Sequence, residues 1–101
     1  MSTVIYGLLE EEKKRNIEMQ EIHLKEIALL PKGAIAVKKS GDGKYYYLRH
    51  RVGDKVVADY IGSDESVVND IRRKIAKRKH LQGIVKRLKL EYKQISKIVK
   101  E

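Results

Sequence analysis

The side chains best suited to chemistry in this sequence lie in one run, Lys44-Tyr45-Tyr46-Tyr47-Leu48-Arg49-His50-Arg51. Guanidinium and ammonium groups neutralise phosphates, and tyrosine rings stack on bases or pack against sugars. That is binding chemistry rather than bond-breaking chemistry. The rest of the chain holds no catalytic constellation. His23, His50 and His80 fall in three separate elements without an H-x-x-x-H or H-E-x-x-H spacing, and there is no cysteine, so neither a metal site nor a disulfide is expected. No serine sits in a G-x-S-x-G turn. Glu10-Glu11-Glu12 and Asp64-Glu65 read as acids in the first turns of helices, a dipole effect rather than an acid–base pair. Lys32-Gly33 and Gly41-Asp42-Gly43 lack the glycine-lysine-hydroxyl order of a phosphate loop. The expectation is a protein that is not an enzyme, with no cofactor and no small-molecule substrate. A pocket gathering His50, Asp59 and Tyr60 is the arrangement that would reverse it.

Charge points the same way. The 101 residues carry 23 Lys and Arg against 14 Asp and Glu, a formal net charge of +9, which favours anionic partners. The excess is uneven. Residues 1–30 are slightly acidic, while residues 31–62 and 63–101 are basic. No apolar run approaches the roughly 18 residues of a membrane span, and the N-terminal segment lacks the basic start of a secretion signal. A cytoplasmic protein with no membrane partner is expected.

The elements that position the tyrosine run follow from periodicity and breakers. Residues 6–30 are rich in helix formers, with apolar positions Ile5, Leu8, Leu9, Met19, Ile22, Ile27, Leu29 and Leu30, and Pro31 ends the helix. Three strands, Ala34–Lys39, Lys44–Arg51 and Val56–Ile61, form a meander over 34–61. An Asp42-Gly43 turn sets Val37 opposite Leu48 and Lys38 opposite Tyr47. For the second hairpin a three-residue loop is preferred. A two-residue Gly53-Asp54 turn would place Asp59 opposite Leu48 on the apolar face, where the longer loop places Val56, Ala58 and Tyr60. The outward face then carries Lys38, Tyr45, Tyr47, Arg49 and Arg51, with Lys44 at its rim and Asp59 close enough to pair with Arg49. Tyr46, Leu48 and His50 turn inward.

A second helix spans 64–100, capped by Ser63 or Asp64, and Leu81, Val85, Leu88, Tyr92, Ile95 and Val99 follow a coiled-coil rhythm. Gly83, inside that rhythm, would permit a close helix contact. The expected fold is α+β in a single domain, 1–101: a long N-terminal helix, a three-stranded antiparallel meander and a long C-terminal helix, with the helices packed as an antiparallel coiled-coil-like hairpin. Matching apolar positions sets Ile5 beside Tyr92 and leaves the end of the second helix overhanging. Tyr92, Ile95, Ile98 and Val99 are therefore the expected self-association residues of a homodimer. The second helix also holds Arg72-Arg73-Lys74-Ile75-Ala76-Lys77-Arg78-Lys79-His80. It reads either as a solvated flank attracting Glu18, Glu21 and Glu26 or as a phosphate-contacting surface through Arg72, Arg73, Lys77 and Lys79.

Leu30-Pro31-Lys32-Gly33-Ala34-Ile35, with Tyr45-Tyr46-Tyr47-Leu48, Arg51, Lys55-Val56 and Tyr60-Ile61-Gly62, resembles a family of small uncharacterised bacterial proteins, chiefly of Firmicutes, built as helix, meander and helix. The meander is also similar to the arm-type N-terminal domains of tyrosine recombinases, a resemblance that implies DNA contact by the sheet. The sequence lacks their catalytic domain and adds a long C-terminal helix. Together these readings lead to non-catalytic binding of nucleic acid, double-stranded DNA ahead of RNA, by the basic tyrosine face. The alternative is a structural or adaptor module that associates through the helical hairpin.

Overall fold

The computed structural model describes residues 3–99, in the order α1 (Thr3–Ala28), β1 (Ala34–Ser40), β2 (Gly43–Val52), β3 (Lys55–Gly62) and α2 (Glu65–Val99). This is the expected α+β arrangement, with the two helices in contact. The last residue expected in the second helix, Lys100, lies outside the described residues. α1 ends before Pro31, which disfavours helical geometry at Leu30. The Leu29 N–H donates to the Glu26 carbonyl (3.1 Å) as the helix closes. At the start of α2 the Asp64 carboxylate accepts from the Ser66 hydroxyl (2.7 Å) and the Ser66 backbone N–H (2.9 Å), the bonding of an N-cap. Those donors, the hydroxyl foremost, hold the Asp64 carboxyl below its ordinary value.

The chain forms two compact units, residues 30–79 and residues 1–29 with 80–101. In the first, the sheet has the order β1-β2-β3 and both pairs are antiparallel. Ser40 pairs with Gly43 and Val52 with Lys55, so both hairpins close through two-residue Gly-Asp loops, Gly41-Asp42 and Gly53-Asp54. Each loop has its glycine in the left-handed region (φ 59° and 63°), where a Cβ would strain the backbone.

The first loop lies one residue earlier than Asp42-Gly43, and Val37 pairs with Tyr46 rather than Leu48. That two-residue slip preserves which side chains share a face. The second loop is the short one, not the three-residue loop preferred from sequence, and this reverses β3: Asp59 lies opposite Leu48, while Val56, Ala58 and Tyr60 join the outward set. Tyr46 is 7% exposed, Ile35, Leu48, His50, Val57 and Ile61 are half-buried on the same side, and Val68 of α2 is 2% exposed. Burying Val68 is worth about 1.5–3 kcal/mol. Near the end of β3 the register shifts, from Tyr47 opposite Tyr60 to Tyr46 opposite Gly62, so Ile61 is the extra residue of a bulge.

The second unit is the antiparallel hairpin of α1 with the later turns of α2, and its register departs from the apolar matching. The Asn16 side-chain amide donates to the Leu88 carbonyl (2.8 Å), and the Gln20 amide donates to Asn16 Oδ1 (2.7 Å). The Lys13 ammonium lies 5.2 Å from the centre of the Tyr92 ring, the place expected for Ile5. α1 is thus displaced by eight residues, 13 against 5, and the expected overhang of α2 disappears. Tyr92, Ile95 and Val99 are half-buried on the seam, while Ile98 is 48% exposed. The α1 side of the seam is polar: Lys13, Asn16 and Gln20 are buried beside Ile27, facing Leu81 and Val85 of α2's buried stripe. Gly83 is exposed, and a Cβ there would meet nothing within 4 Å, so it makes no close helix contact.

Opposite stability changes follow in this unit. Gly83→Ala should stabilise the fold by about 1 kcal/mol, the helix-propensity difference. Asn16→Ala strands the Gln20 amide and should cost about 1–3 kcal/mol. Urea denaturation followed by helical circular dichroism measures both.

Candidate nucleic-acid interface

Strand alternation places Lys38, Tyr45, Tyr47, Arg49 and Arg51 on one face of the sheet, as the sequence suggests, and the register of β3 adds Tyr60, Ala58 and Val56. Across the three strands the side chains form rows: Ala36, Tyr47 and Tyr60, then Ala34, Arg49 and Ala58. Tyr60 packs against both Tyr47 (ring centres 5.3 Å apart, 60° between planes) and Tyr45 (6.5 Å, 35°). The Lys38 ammonium lies 5.7 Å from the centre of the Tyr47 ring. Tilted aromatic pairs and a cation over a ring face are each favourable arrangements, and they pack the three rings together on this face. Arg49, flanked by two alanines, shares a shallow depression with Ala36, Lys38, Tyr47 and Ala58. Arg49, Arg51 and Lys38 are exposed, and so is Lys44, but alternation sets Lys44 with Tyr46 and Leu48 on the other side of the sheet rather than at the rim of this face.

The acid expected to occupy Arg49 is on the opposite side. His50 Nε2 and Asp59 Oδ2 are 2.6 Å apart, the ring N–H donating to the carboxylate. The Asp59 side chain is 63% exposed because β3 is an edge strand, so water solvates its free oxygen while the half-buried His50 ring holds the other. That removes the objection to placing a carboxylate beside Leu48. The strand positions of the outward face, from Ala34 to Lys38, Tyr45 to Arg51 and Val56 to Tyr60, then include no acid. His50 and Asp59 lie on one face and Tyr60 on the other, so the three do not gather into a pocket.

The helical candidates divide. Arg72 and Lys79, one heptad apart, lie on the same side of α2 and line a groove with Gly33, Ala34 and Ile35 at the start of β1. Arg73 and Lys77 project from a different side. Arg73 is 3.5 Å from Asp70, and Lys74 is 3.0 Å from the same carboxylate. These two cations, Lys74 foremost, hold the Asp70 carboxyl below its ordinary value. Arg78, from the same basic run, donates through its guanidinium to the Leu30 carbonyl (2.7 Å), a structural role beyond the end of α1. Tyr60 is the surface residue that sequence reasoning missed. Its signal was the Gly-Asp repeat of the two turns, which fixes the parity of β3.

Among the described residues, no three His, Cys, Asp or Glu side chains are placed to hold a metal ion, and no helix is long and apolar enough to cross a membrane. Compared with known proteins, the chain belongs to a family defined as a domain of unknown function (DUF6788), which matches residues 8–73. That match covers most of α1, the whole sheet and the first turns of α2. No curated protein and no solved structure matches the chain significantly.

The surface depends on one close backbone approach. Gly33 (φ 123°) packs so near the Arg49 carbonyl that any Cβ would overlap it. Gly33→Ala should therefore cost roughly 1–3 kcal/mol and shift the Arg49 and His50 amide resonances, whereas Gly41→Ala, which meets no neighbour, strains only its turn and should leave those resonances in place.

Proposed function

We propose that this protein binds nucleic acid without catalysis, and that its site is the outward face of the sheet, with duplex DNA as the favoured partner. The observation that carries the proposal is the separation of charge by strand parity: Lys38, Arg49 and Arg51 share a face with Tyr45, Tyr47 and Tyr60, while Asp59 is held on the other face by His50. A cationic surface with clustered aromatic rings suits a sugar–phosphate backbone, and a ribbon of antiparallel strands fits the width of the DNA major groove. The similarity of the meander to recombinase arm domains supports the same partner. On this reading the protein is a cytoplasmic accessory factor of bacterial origin. Arg72 and Lys79, beside the start of β1, extend the cationic area, and Arg73 and Lys77 contribute less.

A fluorescence-anisotropy titration with labelled mixed-sequence duplex tests the proposal. If about four phosphates are neutralised, affinity falls roughly 100-fold between about 50 and 200 mM salt. Arg49→Glu combined with Arg51→Glu should abolish binding, and Tyr60→Ser should weaken it by about 1 kcal/mol or more. Absence of binding at about 50 mM salt and tens of micromolar protein, or binding indifferent to both substitutions, would rule the site out.

A further inference from the structure

The largely polar seam of α1 has a counterpart: four of the helix's apolar side chains lie outside the hairpin. Ile5 (50% exposed), Leu8 (58%), Met19 (40%) and Ile22 (59%) are open to solvent, whereas Lys13, Asn16 and Gln20 of the same helix are buried. With Glu12 and Arg15 the four form a continuous stripe, 5-8-12-15-19-22, whose 3-4-3-4-3 spacing is that of a coiled-coil seam. From one end the stripe reads Ile5, Leu8, Glu12, and from the other Ile22, Met19, Arg15. It is complementary to itself when reversed.

We infer that this stripe is the interface of an antiparallel homodimer, in which α1 of one chain packs against α1 of a second copy around a two-fold axis. Ile5 of one copy then meets Ile22 of the other, Leu8 meets Met19, and Glu12 meets Arg15 on both sides of the axis. Within one chain Arg15 already reaches Glu12 (3.1 Å), so both charged groups stand at the centre of the stripe, ready to exchange partners. A parallel pairing would instead set Glu12 against Glu12 and Arg15 against Arg15. A two-fold interface must present the same patch twice, and this patch satisfies that requirement in both apolarity and charge. Glu11 and Glu18 flank the stripe and repel across the axis, offsetting part of the central attraction, so the apolar ends supply the net affinity. This interface differs from the one expected at Tyr92, Ile95, Ile98 and Val99, since the first two and Val99 are half-buried within the hairpin.

The natural sequence has no cysteine, which makes cross-linking direct. Under mild oxidation, a mixture of Leu8→Cys and Met19→Cys chains should form a disulfide-linked heterodimer, and neither variant alone should form a comparable homodimer. Sedimentation equilibrium over about 1–100 μM should show the natural chain dimerising. Leu8→Asp with Met19→Asp should be monomeric with unchanged helical circular dichroism. Glu12→Arg should raise the dissociation constant about tenfold or more, and adding Arg15→Glu to it should restore the dimer. A natural chain that stays monomeric, a dimer that survives Leu8→Asp with Met19→Asp, or Leu8→Cys chains that cross-link to one another as well as to Met19→Cys would overturn the inference.

Discussion

The contact between His50 and Asp59 permits the register on which the sheet's surface chemistry depends. A carboxylate beside Leu48 on the covered face of a small sheet would ordinarily be costly, because desolvation disfavours an unpaired charge. Here the imidazole supplies a hydrogen bond at 2.6 Å and the edge position leaves the carboxylate largely solvated. With that cost removed, the Gly53-Asp54 turn can close in two residues, and each side chain of β3 takes the face opposite to the one a longer loop would give it. Tyr60 joins Tyr45 and Tyr47, and Arg49 is relieved of an acidic neighbour.

The helical hairpin follows a different rule. Its α1 seam buries amides and a lysine where a coiled coil would ordinarily place leucines, and the Asn16 bond to the Leu88 carbonyl is specific to one alignment of the two helices. Buried polar groups of this kind select a register at some cost in stability. Because the seam is largely polar, Ile5, Leu8, Met19 and Ile22 are left exposed, and their order along the helix suits a reversed copy of the same stripe. The hairpin stripe and the sheet face belong to separate compact units and use different forces, apolar burial in one and phosphate neutralisation in the other.

Much of this was legible in the residues. Pro31 and the glycines of the turns mark the element boundaries, and Ser63-Asp64 before a helical run marks a cap, which the hydrogen bonds to Ser66 assign to Asp64. The inward set Tyr46, Leu48 and His50 survived an error of two residues in the first hairpin, because side-chain parity is unchanged by an even slip. The reading of β3 fails because it sets Asp59 against Leu48 as a cost and gives it Arg49 as its ionic partner, whereas the partner in the structure is the diagonal His50. The repeated Gly-Asp pair, Gly41-Asp42 and Gly53-Asp54, was the better guide. In α1 apolar periodicity points to Ile5, Leu8, Leu9, Met19, Ile22, Ile27, Leu29 and Leu30, of which Ile27 is buried and Leu9 half-buried, yet the other buried positions, 13, 16 and 20, carry hydrogen-bonding side chains. No hydrophobicity pattern finds such a seam, although Asn16 and Gln20, four residues apart on one face, hinted at it.

The most direct measurement of the central claim is a chemical-shift map of the protein titrated with mixed-sequence duplex DNA. Strand parity predicts perturbation of the side-chain resonances of Tyr45, Tyr47, Tyr60, Arg49 and Arg51, while those of Tyr46, Leu48 and the His50 ring stay in place. Perturbation centred on His50 and the Leu48 face, or spread evenly over both faces, would contradict it.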